Sequence, residues 1–577
     1  MLIALFFIAM HALVLPPDGF VTGDQGSKFL QARAFADHGP LDPSIDVLAR
    51  DIDPQYHRQE PKLKNRRGRL VSEFLWLLPL MTAPFLHVLG LRGLYVVPAL
   101  SVLAIFGASA ALGRKLGDPT GLRTAWTVLL VTPVVLYGLE LWEHAPATTC
   151  VLLAALWLAP DASSGEPTAS GSHSRFLAAG AAIAVGALFR EEVVPALPAL
   201  LIARALVMNR DRFTDLIEAS AWSSIGAFAV FAASVPVNMT IYGAPLPMHM
   251  TQDAWEVAKN TPYMQVRREI VVDLLLPASH TALFVAAVVA AFGASMWQAL
   301  RGRRTDAKAD AVSRRLLAVV HVAAIVILVI AVVLPLWRLA TGVWPHLSYR
   351  FSSAAHTWLF VLAISYWPWI GKRTTIVAAR YLVVSAAVLF VGTFLLVPTS
   401  GGSQWSPRFM LPVAPLLGMV AANIWRESSA RNRNMAGVIL LASSVMTATG
   451  IVVLSRAKVH NAEMTHRLAA RTAPGEVLIS NVFWFPELTA TLAPTRRYLF
   501  SWSARDVPQM AAMAIARGLP RFSLVTSLPL TGYDAPAVLD VPGAPCRYAR
   551  GLQVGLDPYG LTLSRYGCEG PEGPGQK

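Results

Sequence analysis

The sequence predicts an all-α polytopic membrane bundle with a small C-terminal α/β domain. Three observations predict it. Hydrophobic residues make up 54% of the 577 residues and charged residues only 15%, whereas soluble domains carry about 25%; mean hydropathy is +0.49. Apolar runs recur as far as Leu454, a membrane helix needing about 20 such residues. After Ser455 the composition becomes that of a small soluble domain. A soluble enzyme, a disordered chain and a disulfide-knit secreted module are excluded. Lys and Arg outnumber Asp and Glu, 49 to 35, for a net charge of +14. In a membrane protein that excess points to cytoplasmic loops, and nucleic acid is not expected as a partner.

The first run, Leu2 to Leu15, has no basic stretch before it and no small-residue cleavage site ahead of Pro16 and Pro17. It reads as a retained helix, not a signal peptide. An outward loop, residues 18–92, follows. Within it Leu70 to Leu89 is apolar but broken by Glu73, Pro79, Pro84 and His87. Counting that stretch as a span turns the basic loop Arg114, Lys115, Arg123 outward, so it reads as re-entrant or membrane-surface. The spans expected next are 93–113, 123–140, 146–160, 176–189, 193–207, 220–238, 278–300, 316–337, 353–370, 376–397, 409–425 and 435–454. With the first helix they make about 13. The inward loops then hold the dense basic clusters, including Arg301, Arg303, Arg304, Lys308, Arg314 and Arg315. The exception is Lys62, Lys64, Arg66, Arg67 and Arg69 in the first outward loop, which suits either anionic headgroups or a lipid-linked phosphate.

The transmembrane part is therefore 1–454, followed by an outer α/β domain at 455–566 and a disordered Gly/Pro-rich tail at 567–577. Val477–Phe483, Phe522–Ser527 and Leu561–Tyr566 read as strands. Ser503-Ala-Arg-Asp506 reads as a capping box opening a helix that ends at Gly518. Cys546 and Cys568 can pair if this region faces an oxidising compartment, while Cys150 lies in an apolar run.

There is no Walker loop, His-Glu-x-x-His, Cys-x-x-Cys or Gly-x-Ser-x-Gly, so the usual signatures of ATP-driven transport and zinc proteolysis are missing. What remains is a set of polar residues at outward helix ends. Thr22-Gly-Asp-Gln-Gly-Ser-Lys28 places Asp24 near a helix start. There it is either a general base for an incoming hydroxyl or a carboxylate that favours the helix dipole. Gly23 and Gly26 would let backbone approach a ligand. Glu140-Leu-Trp-Glu143-His144 holds acids at the membrane edge, which are costly and point to function; the alternative is a wet turn. Arg190-Glu191-Glu192 is either a site or an internal ion pair. Arg408 at the edge of a span suits a phosphate through its guanidinium fork, or snorkels to lipid. Trp142, Trp405 and Trp502 read as interface anchors.

Taken together, the motifs resemble those of the GT-C superfamily of integral-membrane glycosyltransferases. The likeness is to bacterial members related to protein mannosyltransferases and to aminoarabinose and lipopolysaccharide-core transferases. It rests on Gly23-Asp24 after helix one, on Gly68-Arg69-Leu-Val-Ser72-Glu-Phe with Pro79, Pro84-Phe85 and Gly90, on Ala187-Leu-Phe-Arg190-Glu191, and on Ser406-Pro-Arg408-Phe-Met-Leu-Pro412-Val-Ala-Pro415. Many relatives carry an acidic pair after helix one. Here Gln25 follows Asp24 and Phe29 stands where an aromatic hydroxyl is often found. That departure weakens the expectation of a divalent metal, and no cofactor or metal ligand is assigned.

The resemblance implies a bacterial inner-membrane, multi-pass enzyme with its C-terminal domain extracytoplasmic. It would move a sugar from a polyprenyl-phosphate donor to a hydroxyl of a glycan, lipid or protein acceptor, with inversion. Asp24 would be the base; Lys28, Arg69, Glu143, His144, Arg190, Glu191 and Arg408 would bind substrates. Two other classes stay open: a carrier or flippase for a lipid-linked saccharide, though neither inverted repeats nor midplane broken helices stand out, and an inactive membrane scaffold.

Overall fold

In a computed structural model the chain is described at residues 1–59, 62–160, 172–208, 213–248, 262–271, 332–333, 336–337, 340–341, 357–369, 374–397, 406–544, 546–556 and 560–569. It divides into two compact units. One comprises Met1–Phe7, Val97–Ser234 and Met250–Leu454; the other comprises Ile8–Val96, Val235–His249 and Ser455–Lys577.

Helix α1 (Leu2–Ala9) passes into a π-helical turn, Met10–Val14, and α2 (Gly23–His38) follows Thr22 as N-cap. Helices α3 (Leu77–Leu89) and α4 (Val96–Lys115) are joined by a 3₁₀ segment, Gly90–Tyr95. Next come α5 (Leu122–Val131), α6 (Val134–Tyr137), α7 (His144–Leu158), α8 (Ser172–Phe189), α9 (Ala196–Val207) and α10 (Phe213–Tyr242). Later helices are Thr374–Leu396, Val413–Glu427 and Ala430–Arg471. Among the described residues four stretches are long and apolar enough to cross a membrane: Leu77–Lys115, Phe213–Tyr242, Val377–Leu396 and Asn432–Arg471.

Several expected spans are reshaped. The stretch 123–140 is not one helix, because Thr132, forced extended ahead of Pro133, ends α5. Leu70–Leu89 splits into a strand and then α3. The stretch 353–370 holds a 3₁₀ segment, Leu359–Trp369. The last helix runs on to Arg471, since no Gly or Pro interrupts Ser455–Arg471. The expected span 278–300 and most of 316–337 lie outside the described residues.

In the first unit, glycines let helices approach closely: a Cβ on Gly180 would meet the Ser223 carbonyl oxygen at 1.7 Å, and one on Gly226 the Leu177 oxygen at 2.0 Å. Helices α8 and α10 therefore pack backbone to backbone, as small residues permit in a membrane.

The second unit contains two sheets. Strands β1 (Leu63–Arg66) and β2 (Arg69–Ser72) form an antiparallel hairpin. Its two turn residues, Arg67 and Gly68, both have positive φ, as a primed two-residue turn requires. The larger sheet contains β3 (Val477–Ser480), β4 (Arg497–Phe500), β5 (Arg521–Ser527), β6 (Val538–Leu539), β7 (Arg547–Gly555) and β8 (Leu561–Glu569), in the order β4-β3-β5-β8-β7-β6. β3 pairs parallel with both β4 and β5; the remaining pairs are antiparallel. Alternate residues Val477, Ile479, Phe522 and Leu524 lie in one core with Val507, Met510 and Ala514 of the helix Val507–Ala516. Ala49 and Ile52 of the first loop join that core, and Arg497 pairs with Asp51 at 2.8 Å. The C-terminal sheet thus folds together with the first loop.

Cys546 and Cys568 are disulfide-bonded. Gly567–Glu569, expected as the start of the tail, belong to β8; residues 570–577 lie outside the described residues. The capping box is also altered. Ser503 Oγ accepts from the Arg505 N–H. Asp506, instead of reaching back, accepts from Arg58 and from Ser501 Oγ, both at 2.7 Å.

Candidate functional site

In the first unit, residues 131–150 are all buried. The break at Pro133 and the turn before α7 fold Glu140, Trp142, Glu143 and His144 into the interior, 1–4% exposed. The wet-turn alternative is thereby removed. Arg190, just after α8, answers the charge. Its Nη1 donates to Glu143 Oε1 at 2.7 Å, its Nε donates to Glu192 Oε2 at 2.9 Å, and its Nη2 bonds the other Glu192 oxygen. All three side chains are 4–6% exposed. Glu191 opens the 3₁₀ turn Glu191–Val193.

Arg408 joins the same region, its guanidinium 5.6 Å from the Trp142 ring and 5.1 Å from that of Phe409; the Arg190 guanidinium lies 5.4 Å from the Phe409 ring. Such cation–π contacts gain when desolvated. Trp142 is therefore a buried platform, not an interface anchor; its ring sits 5.3 Å from Tyr137 and 5.6 Å from His144. Two residues before Arg408, Ser406 has a φ of 73°. Trp358 Nε1 donates to its Oγ at 2.8 Å and Tyr137 OH to its carbonyl at 3.4 Å. A non-glycine residue held in this region is a mark of functional sites. Trp405 lies outside the described residues.

Asp24 belongs to the second unit, in the first turn of α2, where the helix dipole favours a carboxylate. Around it a second charged cluster is built. Lys62 lies 2.9 Å and Lys64 3.5 Å from the two carboxylate oxygens of buried Glu73. The Lys62 and Lys28 ammonium groups stand 5.6 and 4.7 Å from the Phe74 ring. Burial pulls Lys62 down, but the carboxylates of Glu73, Asp24 and Glu487 hold it above the usual lysine range.

Gly23 and Gly26 do not open space for a ligand. A Cβ on Gly23 would meet Glu487 Oε2 at 1.3 Å, and one on Gly26 the Glu487 carbonyl oxygen at 1.8 Å. Both glycines exist so that α2 can press on the segment after β3, which brings Glu487 to the turn that carries Asp24. Arg69 is directed elsewhere: Nη2 donates to the Thr240 carbonyl at 2.9 Å, and Nη1 is 3.6 Å from Asp42.

The structure therefore gathers Glu143, His144, Arg190 and Arg408 in one unit, and Asp24 and Lys28 in the other. Glu487 escaped the sequence reading, and Glu73 entered it only as a break in an apolar run; the pairing of Arg190 with Glu192 is the internal ion pair that the sequence offered as one alternative. Glu73 had a usable signal, a lone acid in an apolar stretch. Among the described residues no three His, Cys, Asp or Glu side chains form a metal-ligand set.

No family model matches the chain, and no curated protein does. Among solved structures it is similar to ArnT from Cupriavidus metallidurans bound to undecaprenyl phosphate, with 11% identity, TM-score 0.48 and 97% of each chain covered. It is also similar to the Archaeoglobus fulgidus oligosaccharyltransferase complexed with Zn and sulfate, with 12% identity and TM-score 0.47 over 92% of this chain and 68% of that one.

Proposed function

We propose that the protein is a membrane glycosyltransferase. It moves a sugar from a polyprenyl-phosphate donor to an acceptor hydroxyl on the extracytoplasmic face, with inversion and with Asp24 as general base. The observation that carries this reading is the placement of Asp24: a half-buried carboxylate in the first turn of a helix, close enough to act on Lys62, which pairs with buried Glu73. The polyprenyl-phosphate donor comes from the motif resemblance.

The acceptor O–H gives its proton to the Asp24 carboxylate. The oxygen then forms a bond to the anomeric carbon on the face opposite the phosphate, and the C–O bond to the lipid phosphate breaks with both electrons leaving on the phosphate. The motif resemblance implies that Arg190 or Arg408 would stabilise the charge growing on the departing lipid phosphate. The resemblance gives the orienting of hydroxyls to His144, Glu143 being held by Arg190.

The test is transfer from synthetic polyprenyl-phosphate pentoses and hexoses by the full chain in nanodiscs. Asp24→Asn is expected to lower transfer by about 10²–10⁴-fold, the range for a general base, with unchanged thermal unfolding. Retained transfer removes Asp24 from the role. Arg408→Lys keeps the charge but loses the fork and is expected to raise the donor KM; an unchanged KM returns Arg408 to packing against Trp142.

A further inference from the structure

The C-terminal sheet contains a feature that the transfer reaction does not use. Its three parallel strands run in the spatial order β4-β3-β5. The chain leaves β3 for β4 on one side and then crosses to β5 on the other. The two crossovers lie on opposite faces. The helix Val507–Ala516 shares its core with Val477, Ile479, Phe522 and Leu524, whereas Phe485 of the β3–β4 connection packs on Tyr498, a residue of opposite parity. β3 and β5 therefore flank a topological switch point, and in open α/β sheets the crevice at the carboxyl ends of such strands is where ligands bind.

At that point two polar side chains are left over. The last β3–β5 pair is Ser480 with Val525; one step further come Asn481 and Thr526, 7% and 1% exposed. Neither the Asn481 Oδ1 nor the Thr526 Oγ1 has a hydrogen-bond partner among the described residues. Buried polar atoms are rarely left so. Beside them an aromatic pair is open to solvent. Phe483 and Trp502 follow the ends of β3 and β4, stack at 5.5 Å and 24°, and are 46% and 70% exposed.

We infer that this crevice binds a neutral saccharide. The stacked rings offer a flat apolar face to the C–H side of a sugar ring, and the amide and hydroxyl meet its hydroxyl groups. A phosphate-bearing ligand is disfavoured. The segment Asn481–Trp484 has no glycine to cradle it. This assignment does not depend on any role for Asp24.

The test is titration of the full-length protein in detergent micelles with neutral hexose and pentose tetrasaccharides, followed by calorimetry and saturation-transfer NMR. Wild type is expected to bind at least one of them. Trp502→Ala, at an exposed position that leaves the fold intact, is expected to weaken binding about tenfold, the loss of one stacking contact; Asn481→Ala is expected to weaken it as well. Asp24→Asn is expected to bind as wild type does, so the result stands whether or not transfer is found. Absence of binding, or binding indifferent to Trp502→Ala, overturns the inference. So does quenching, by brominated lipid in nanodiscs, of a fluorophore attached through Trp502→Cys, which would make this face a membrane contact.

Discussion

Arg190 and Lys62 each face more than one carboxylate, but the two clusters are built for different ends. Arg190, Glu143 and Glu192 are sealed, 4–6% exposed, with the guanidinium bonded on both sides. The Lys62 and Lys64 side chains are 35% and 38% exposed while their partner Glu73 is 3% exposed. The first cluster holds its charge for itself: breaking it leaves acids stranded in a dry interior. In the second, cations stand at the water boundary with the Asp24 carboxylate close enough to act on Lys62. Among several charged motifs, the one still reachable from solvent is the better place to seek chemistry.

The comparison breaks most sharply at Arg190. Arg190→Met removes the cation and leaves Glu143 and Glu192 buried, at a cost of about 3–5 kcal/mol. The expected outcome is low yield or a strongly lowered midpoint in detergent. A well-folded variant that has lost only transfer would show that Arg190 serves the reaction and not the fold. Next in size is the disulfide. Cys546 and Cys568 enclose a separation of 22 residues, and loop closure of that order is worth about 3 kcal/mol. Reductant should lower the unfolding midpoint of the wild type and leave Cys546→Ser/Cys568→Ser unmoved. An equal response in both would mean that the bond contributes nothing to stability.

Much of the membrane part was legible because hydropathy and proline are local signals. The last apolar run and the ends of α7, α8 and α9 follow from them. Strands β3, β5 and β8 were legible as short β-branched or aromatic runs. The hairpin Leu63–Ser72 was not, since its alternation is hidden by charge: Lys62, Lys64, Arg66 and Arg69 read as a basic patch before they read as strand and turn. The Asp24 site was half legible. Its acid stands out in the sequence. Its neighbour Glu487, though, arrives through a contact far along the chain, and Gly23 and Gly26 record that contact only once the distances are known. Trp142 failed for a similar reason: composition marks an aromatic near a membrane edge, whereas burial depends on how the turn at Pro133 folds inward.

Lys62 sharpens the comparison at smaller amplitude. Lys62→Met leaves Glu73 with Lys64 alone, at 3.5 Å, and is expected to cost about 1–3 kcal/mol, the penalty of a weakly satisfied buried group. Because the carboxylates more than offset burial and hold the Lys62 ammonium above its ordinary range, its contribution is complete below the ordinary lysine value. It is lost only as pH rises through the higher folded value. Between pH 6 and 9 the stability difference between wild type and Lys62→Met should therefore stay flat. A difference that declines across that window would show that Lys62 is not held charged by its neighbours.

The smallest effect lies at Asp506. Ser501 Oγ and the Arg58 guanidinium hold its carboxyl below the usual range. The folded state thus binds a proton less readily than the unfolded chain, so the contribution is present above the ordinary carboxylate value and disappears as pH falls through the lower folded one. The Arg58 and Asp506 side chains are 25% and 33% exposed, which limits the pair to about 1 kcal/mol or less. Wild type and Asp506→Asn should differ by that amount at pH 7 and converge only at pH below the ordinary carboxylate range. Arg58 belongs to the first loop and Asp506 to the C-terminal sheet region, so the same measurement reads how firmly those two segments are joined. Convergence already at pH 5 would mean that the carboxyl is not held down and that the joint rests on the apolar contacts of Ala49 and Ile52 instead.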